Sequence, residues 1–143
     1  MLKSLKIEKY QGVNCLEVPQ LTRINVLVGN DFSAKRAVLD YTRQALMGCC
    51  VLADNFGSDI HYTEMSDRVK ALLSQSYSDN FQAVITVNSY EVLQTFYEAI
   101  KELEFNEDDF SLIRLSIDIN GTKVTIMPGK LFNVAIEHNM EVR

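Results

Sequence analysis

The chain has 143 residues, 47% of them hydrophobic, with a formal net charge of −5. That apolar content suffices for one core, so residues 1–143 read as a single domain, and the acidic balance argues against a general nucleic-acid surface, which needs a basic face. No stretch approaches the roughly 20 apolar residues of a membrane span, and the alternating, charged start is not a leader pattern, so a cytoplasmic protein with no membrane partner is expected.

Leu5 and Ile7 alternate with Lys6 and Glu8, the pattern of a half-buried strand. Gln11-Gly12 makes a turn, and Val13 to Val18 returns as a second strand before Pro19. With the strand that starts at Arg23, these predict a small antiparallel edge. Ile24, Val26, Leu27 and Val28 form a nearly continuous apolar run, as in a strand covered on both faces. Gly29 breaks it, and a helix is predicted from about Ala34 to Met47, closed by Gly48.

Cys49 to Asp54 is a second short apolar run ending on an acid. Met65, Val69, Leu72 and Leu73 then mark an amphipathic helix, and Phe81 to Val87 a third buried strand. Ser89 is placed to cap a helix whose core face is Val92, Leu93, Phe96, Ile100 and Leu103. The acidic run Glu102 to Asp109 reads as a solvated exit loop. Ile113, Leu115, Ile117 and Ile119 alternate with polar residues up to an Asn120-Gly121 turn, and Thr122 to Met127 returns with Val124 and Ile126 inward. After Pro128-Gly129, Leu131, Val134, Ala135 and His138 stripe a last helix, with His138 as its C-terminal cation.

Cys15, Cys49 and Cys50 read as reduced core cysteines, not a disulfide framework. His61 and His138 are too far apart in the chain to suggest zinc. Alternating strands and helices with hairpins at both ends predict an α/β sandwich.

The chemistry concentrates at Gly29-Asn30-Asp31-Phe32-Ser33-Ala34-Lys35-Arg36. Strand, glycine turn and helix form the scaffold of a phosphate-binding loop, in which backbone N–H groups and a helix N-terminus face an anion. Against the working pattern G-x-x-x-x-G-K-[ST], Lys35 is present, but Ala34 stands at the second glycine and Arg36 at the magnesium-binding hydroxyl. Arg36 has only donors and a positive charge, so it cannot ligate a hard cation. Asp54 ends a strand where nucleotide hydrolases hold magnesium, or it is simply a strand-end cap. Asn55 follows, and an amide cannot act as general base.

Leu2 to Pro19 together with Ile24 to Gly29 resembles the start of OLD-type ATP-binding proteins, members of the ABC class of P-loop ATPases. Val51 to Tyr62 looks like their Walker B segment, Ile85 to Glu91 is similar to their switch segment, and the tail from Glu137 to Arg143 is similar to their usual ending. The resemblance implies a P-loop NTPase-like three-layer sandwich, with parallel central strands, antiparallel N-terminal strands and a C-terminal hairpin plus helix. It also implies a nucleotide site at Gly29, Asn30, Asp31, Ser33, Lys35 and Arg36, a metal position at Asp54, and switch remnants at Asn55, Asn88 and Ser89.

The departures from that family are specific. Gln11 stands where many relatives carry an arginine that contacts nucleotide. Phe32, Ala34 and Arg36 disrupt the loop, Asn55 replaces the catalytic glutamate, and Asn88 the switch histidine. The long helical insertion that carries the family's signature serine is missing between Met47 and Cys49. Positioned bases contribute roughly 10²–10⁴-fold and phosphoryl clamps comparable factors, so these losses point away from an enzyme. The expectation is a pseudo-ATPase that serves as an interaction or regulatory module, with a protein partner or a second copy of itself and no obligatory cofactor. Two alternatives stand beside it: a non-hydrolysing switch that binds ATP and magnesium, and an ATPase subunit active only with a full-length partner.

Overall fold

The computed structural model describes residues 1–45 and 50–142. Leu5–Tyr10 (β1) and Val13–Val18 (β2) pair antiparallel across Gln11-Gly12, both of which take positive φ (47° and 87°). That is the turn twist that suits a two-residue hairpin loop. Ile24–Val28 (β3) is buried at every position and leads through Gly29–Asp31 into a helix, Phe32–Ala45 (α1). Next come Cys50–Ala53 (β4), Tyr62–Ser78 (α2), Gln82–Thr86 (β5), Tyr90–Glu102 (α3), Phe110–Asp118 (β6), Gly121–Pro128 (β7) and Gly129–Glu137 (α4).

The five-stranded sheet runs β4-β5-β3-β6-β7, parallel throughout except for β7, which returns antiparallel beside β6. The β1–β2 ribbon is a separate sheet. The predicted antiparallel edge is therefore corrected: β3 joins neither β1 nor β2 but is the centre of the parallel sheet. Its nearly continuous apolar run follows from being covered above and below, and a strand facing water on one side would alternate.

Two apolar clusters lie on the two faces. One gathers Ile24, Val26, Val69, Leu73, Ile85, Phe96, Phe110 and Phe132, closing α2, α3 and α4 onto the sheet. Within it the rings of Phe96, Phe110 and Phe132 form a chain, with centroids 5.9 and 4.9 Å apart. The other joins Leu27, Val84, Ile113 and Leu115 to α1 and to the inward residues of β1 and β2. The result is a three-layer α/β sandwich in which the ribbon completes the α1 layer. At the amino end of β3, Asn25 is fully buried and fully satisfied. Its carbonyl oxygen accepts from Thr22 N–H and Ser111 Oγ, and its amide donates to the carbonyls of Thr22 and Ala83.

Other sequence expectations shift in detail. The turn of the C-terminal hairpin is Ile119-Asn120, with Asp118 opposite Gly121, not Asn120-Gly121. Ile117 and Ile119 are exposed because the sheet's end projects beyond the α1 layer, whereas Val124 and Ile126 are partly buried against that layer. In α4 the buried side is Phe132, Ala135 and Ile136, while Leu131 and Val134 face water. Leu103 is the exposed C-cap of α3 rather than part of its core face. Glu102 still belongs to α3, and Glu107–Asp109 forms a single 3₁₀ turn. Cys15 is exposed, so it is not a core cysteine, and Cys50 is half-buried. The predicted end of α1 at Met47 and Gly48, Cys49 and the final Arg143 lie outside the described residues. None of the described helices is long and apolar enough to cross a membrane.

Candidate functional site

The carboxyl ends of β3, β4 and β5 open on one side of the sheet, where open α/β sheets place their ligands. Gly29 leaves β3 with φ +109°, and a Cβ there would stand 2.1 Å from the carbonyl oxygen of Leu115. Only glycine permits that approach of loop to β6, for steric and conformational reasons together. Asn30 Oδ1 then accepts the N–H of Ile117 (3.1 Å), and the N–H of Asp31 donates to the Leu115 carbonyl (3.2 Å). The loop is stitched along β6.

The helix begins at Phe32, two residues earlier than the sequence suggests, and Asp31 is its cap. Asp31 Oδ1 accepts the N–H of Ala34 at 2.9 Å, and Oδ2 accepts the hydroxyl of Thr122 at 2.7 Å. A buried carboxylate thus sits at the positive end of α1, the place an anion would take. Ser33, Lys35 and Arg36 belong to the first turns of the helix and not to an open loop.

Lys35 is 3% exposed. Its Nζ lies 4.5 Å from the centroid of the Phe32 ring and donates to Asn88 Oδ1 at 2.7 Å. Burial lowers its pKa from the ordinary lysine value, partly offset by the nearby carboxylates of Asp54 and Asp31. Asn88 in turn donates to Asn55 Oδ1 (2.8 Å). Because β5 lies between β3 and β4, its end supplies the link to the acid: Thr86 Oγ1 donates to Asp54 Oδ1 (2.6 Å) and accepts from the Asn55 N–H (2.6 Å). Asn55 takes φ 53°, a left-handed turn that asparagine tolerates, and this brings its amide back over the sheet.

The structure therefore brings together Lys35, Arg36, Asp54, Asn55 and Asn88 around a cavity of about 290 Å³, joined by Phe32 and Thr86. Gly29 and Asn30 border an adjoining cavity of about 530 Å³ that Phe32 and Asn88 also line. Ser89 faces a third, between the 55–60 loop and α3. It occupies the predicted N-cap of α3, but its hydroxyl donates to the Glu91 carboxylate and caps no backbone N–H. Ser33 is exposed on the first turn of α1. Among the described residues, no group of three His, Cys, Asp or Glu side chains converges on a metal position, so Asp54 is the lone acid beside this cavity.

Charge decides what the cavity can hold. The cavity is lined by Lys35 and Arg36 against the one acid Asp54, and the Asp31 carboxylate behind it also acts on the Lys35 amine, so little positive charge is left over for a polyanion. Sequence reasoning missed two residues here, Thr86 and Thr122. A threonine ending a buried strand next to Asn88 is a weak signal for the first. Nothing local marks the second, which reaches Asp31 only through the hairpin.

No family model, no curated protein and no solved structure matches this chain. What defines it is an α/β sandwich with a polar constellation at the carboxyl ends of its parallel strands.

Proposed function

We propose that the chain is a non-hydrolysing, P-loop ATPase-like protein that works as an interaction or regulatory module. The observation that carries this reading is Asp31: its carboxylate caps α1 and accepts from Thr122, which sets a negative charge at the helix N-terminus that a phosphate would need. The tie between Lys35 and Asn88 adds to it, because the amine that would hold a phosphate is already engaged. Asn55 accepts a hydrogen bond from Asn88 and has no proton-accepting chemistry to offer a water. No cofactor is needed for this role. The partner is a second protein or a second copy of the chain. The outer edge of β4, paired only through β5 among the described residues and carrying the exposed Val51, is one place for it to add a strand.

A second reading keeps nucleotide binding without hydrolysis, and the 290 Å³ cavity lined by Lys35 and Arg36 beside Asp54 favours it. In that reading ATP brings magnesium, which restores the positive charge that the side chains lack. Thermal unfolding with ATP, ADP and GTP, with and without magnesium, separates the two, since a ligand at 100 times its dissociation constant adds about 2.7 kcal/mol. The first reading expects no shift at millimolar nucleotide. A shift that disappears in Lys35→Ala supports the second and removes the first.

A further inference from the structure

Away from the loop, β6 and β7 carry a second constellation. In their antiparallel register Arg114 stands opposite Thr125 and Ser116 opposite Lys123. Residues two apart on a strand share a face, so the four side chains form a square of two cations and two hydroxyls. They line a cavity of about 380 Å³ whose floor is apolar: Leu112 is 1% exposed and Val142 2%. Among the described residues, none of these four side chains makes a hydrogen bond or ion pair, so their donors are available. The tail after α4 forms the far wall, with Glu141 at the rim. Convergent polar groups over an apolar floor in a concave site are what ligand pockets share.

We propose that this cavity binds a small, singly charged organic acid bearing an apolar group. Two cations against the one carboxylate of Glu141 leave a surplus of a single positive charge, which suits a monoanion and not a polyphosphate. Arg114 presents a planar fork for the acid group, with Lys123 across the strand as the second charge and the hydroxyls of Ser116 and Thr125 as further donors. The apolar portion lies over Leu112 and Val142. Arg114 and Glu141 also border the 530 Å³ cavity beside Gly29, so a longer acid has room to extend toward Phe32.

Octanoate is the probe, titrated into isotopically labelled protein and followed by amide shifts. Its dissociation constant is expected on the order of 1 mM, as suits a ligand of about ten heavy atoms. The shifts should map to residues 112–116, 123–127 and 141–142. Arg114→Gln should weaken binding about tenfold, as expected for loss of a charge-assisted hydrogen bond. Lys123→Gln, at an exposed position, should weaken it several-fold. Octanol at roughly 1 mM, within its solubility, and inorganic phosphate at roughly 10 mM, each with half of the required chemistry, should shift these residues far less than octanoate does at the same concentration. Octanol binding as tightly as octanoate would overturn the proposal. So would shifts at other residues, or affinity unchanged in both variants.

Discussion

Asp31 and Thr122, 91 residues apart in sequence, are joined by a 2.7 Å hydrogen bond from the threonine hydroxyl to the carboxylate that caps α1. One contact thereby ties the start of a helix to the tip of the C-terminal hairpin. Asp31→Ala should destabilise the fold by about 1–2 kcal/mol through loss of the cap. Thr122→Val should cost about 1 kcal/mol, and the double variant less than the sum, with a coupling of about 1 kcal/mol. Urea unfolding of the four proteins checks this; strict additivity would mean that the two groups do not act together.

Gly29 should tolerate no side chain. Gly29→Ala combines φ +109° with a Cβ that would stand 2.1 Å from the Leu115 carbonyl oxygen, and both must be relieved by pulling the loop off β6. A loss of more than about 2 kcal/mol is expected, measured by denaturant midpoint. A near-neutral result would show that the loop is not held against β6.

Lys35 should impose a pH dependence of a particular sign. Its folded pKa is lowered, chiefly by burial. Below that value both states keep the proton, and the folded state bears the cost of a buried charge. Between it and the free value of 10.5 the folded state releases the proton first, so stability rises with pH across that window. The stability of the native chain relative to Lys35→Met should therefore increase as pH climbs toward 10.5. A difference independent of pH would contradict the burial of the amine.

Tyr77 acts in the opposite sense. Burial, then the hydrogen bond to Asp109, raise its pKa from 10.0 to about 12. Its contribution is complete below pH 10 and is lost as pH rises through about 12. Tyr77→Phe should flatten the alkaline fall in melting temperature, although the phenol's partial exposure keeps the effect small. An unchanged alkaline limb in that variant would count against the assignment.

The elements that could be read from the sequence are those whose pattern is set by their own neighbours. The nearly continuous apolar run from Ile24 to Val28, and the return of Val13 to Val18 after the Gln11-Gly12 turn, are recognisable without any partner. The errors arise where packing decides. Ile117 and Ile119 look inward by alternation, yet they project past the layer that would have covered them. Leu131 and Val134 lose the buried face of α4 to Phe132 and Ile136, because the large ring meets Phe110. At the site, Lys35, Asp54, Asn55 and Asn88, which the sequence singles out, lie around one cavity. In the sequence Asp31 reads as a loop residue facing an anion; its contact with Thr122, 91 residues away, has no local pattern to reveal it.

The most direct measurement is phosphate release from magnesium-ATP by the purified chain, compared with Lys35→Ala and Asp54→Asn. The proposed non-hydrolysing reading expects all three proteins to give the same background rate. Release by the native chain above that background, abolished when Asp54 is neutralised, would contradict the account.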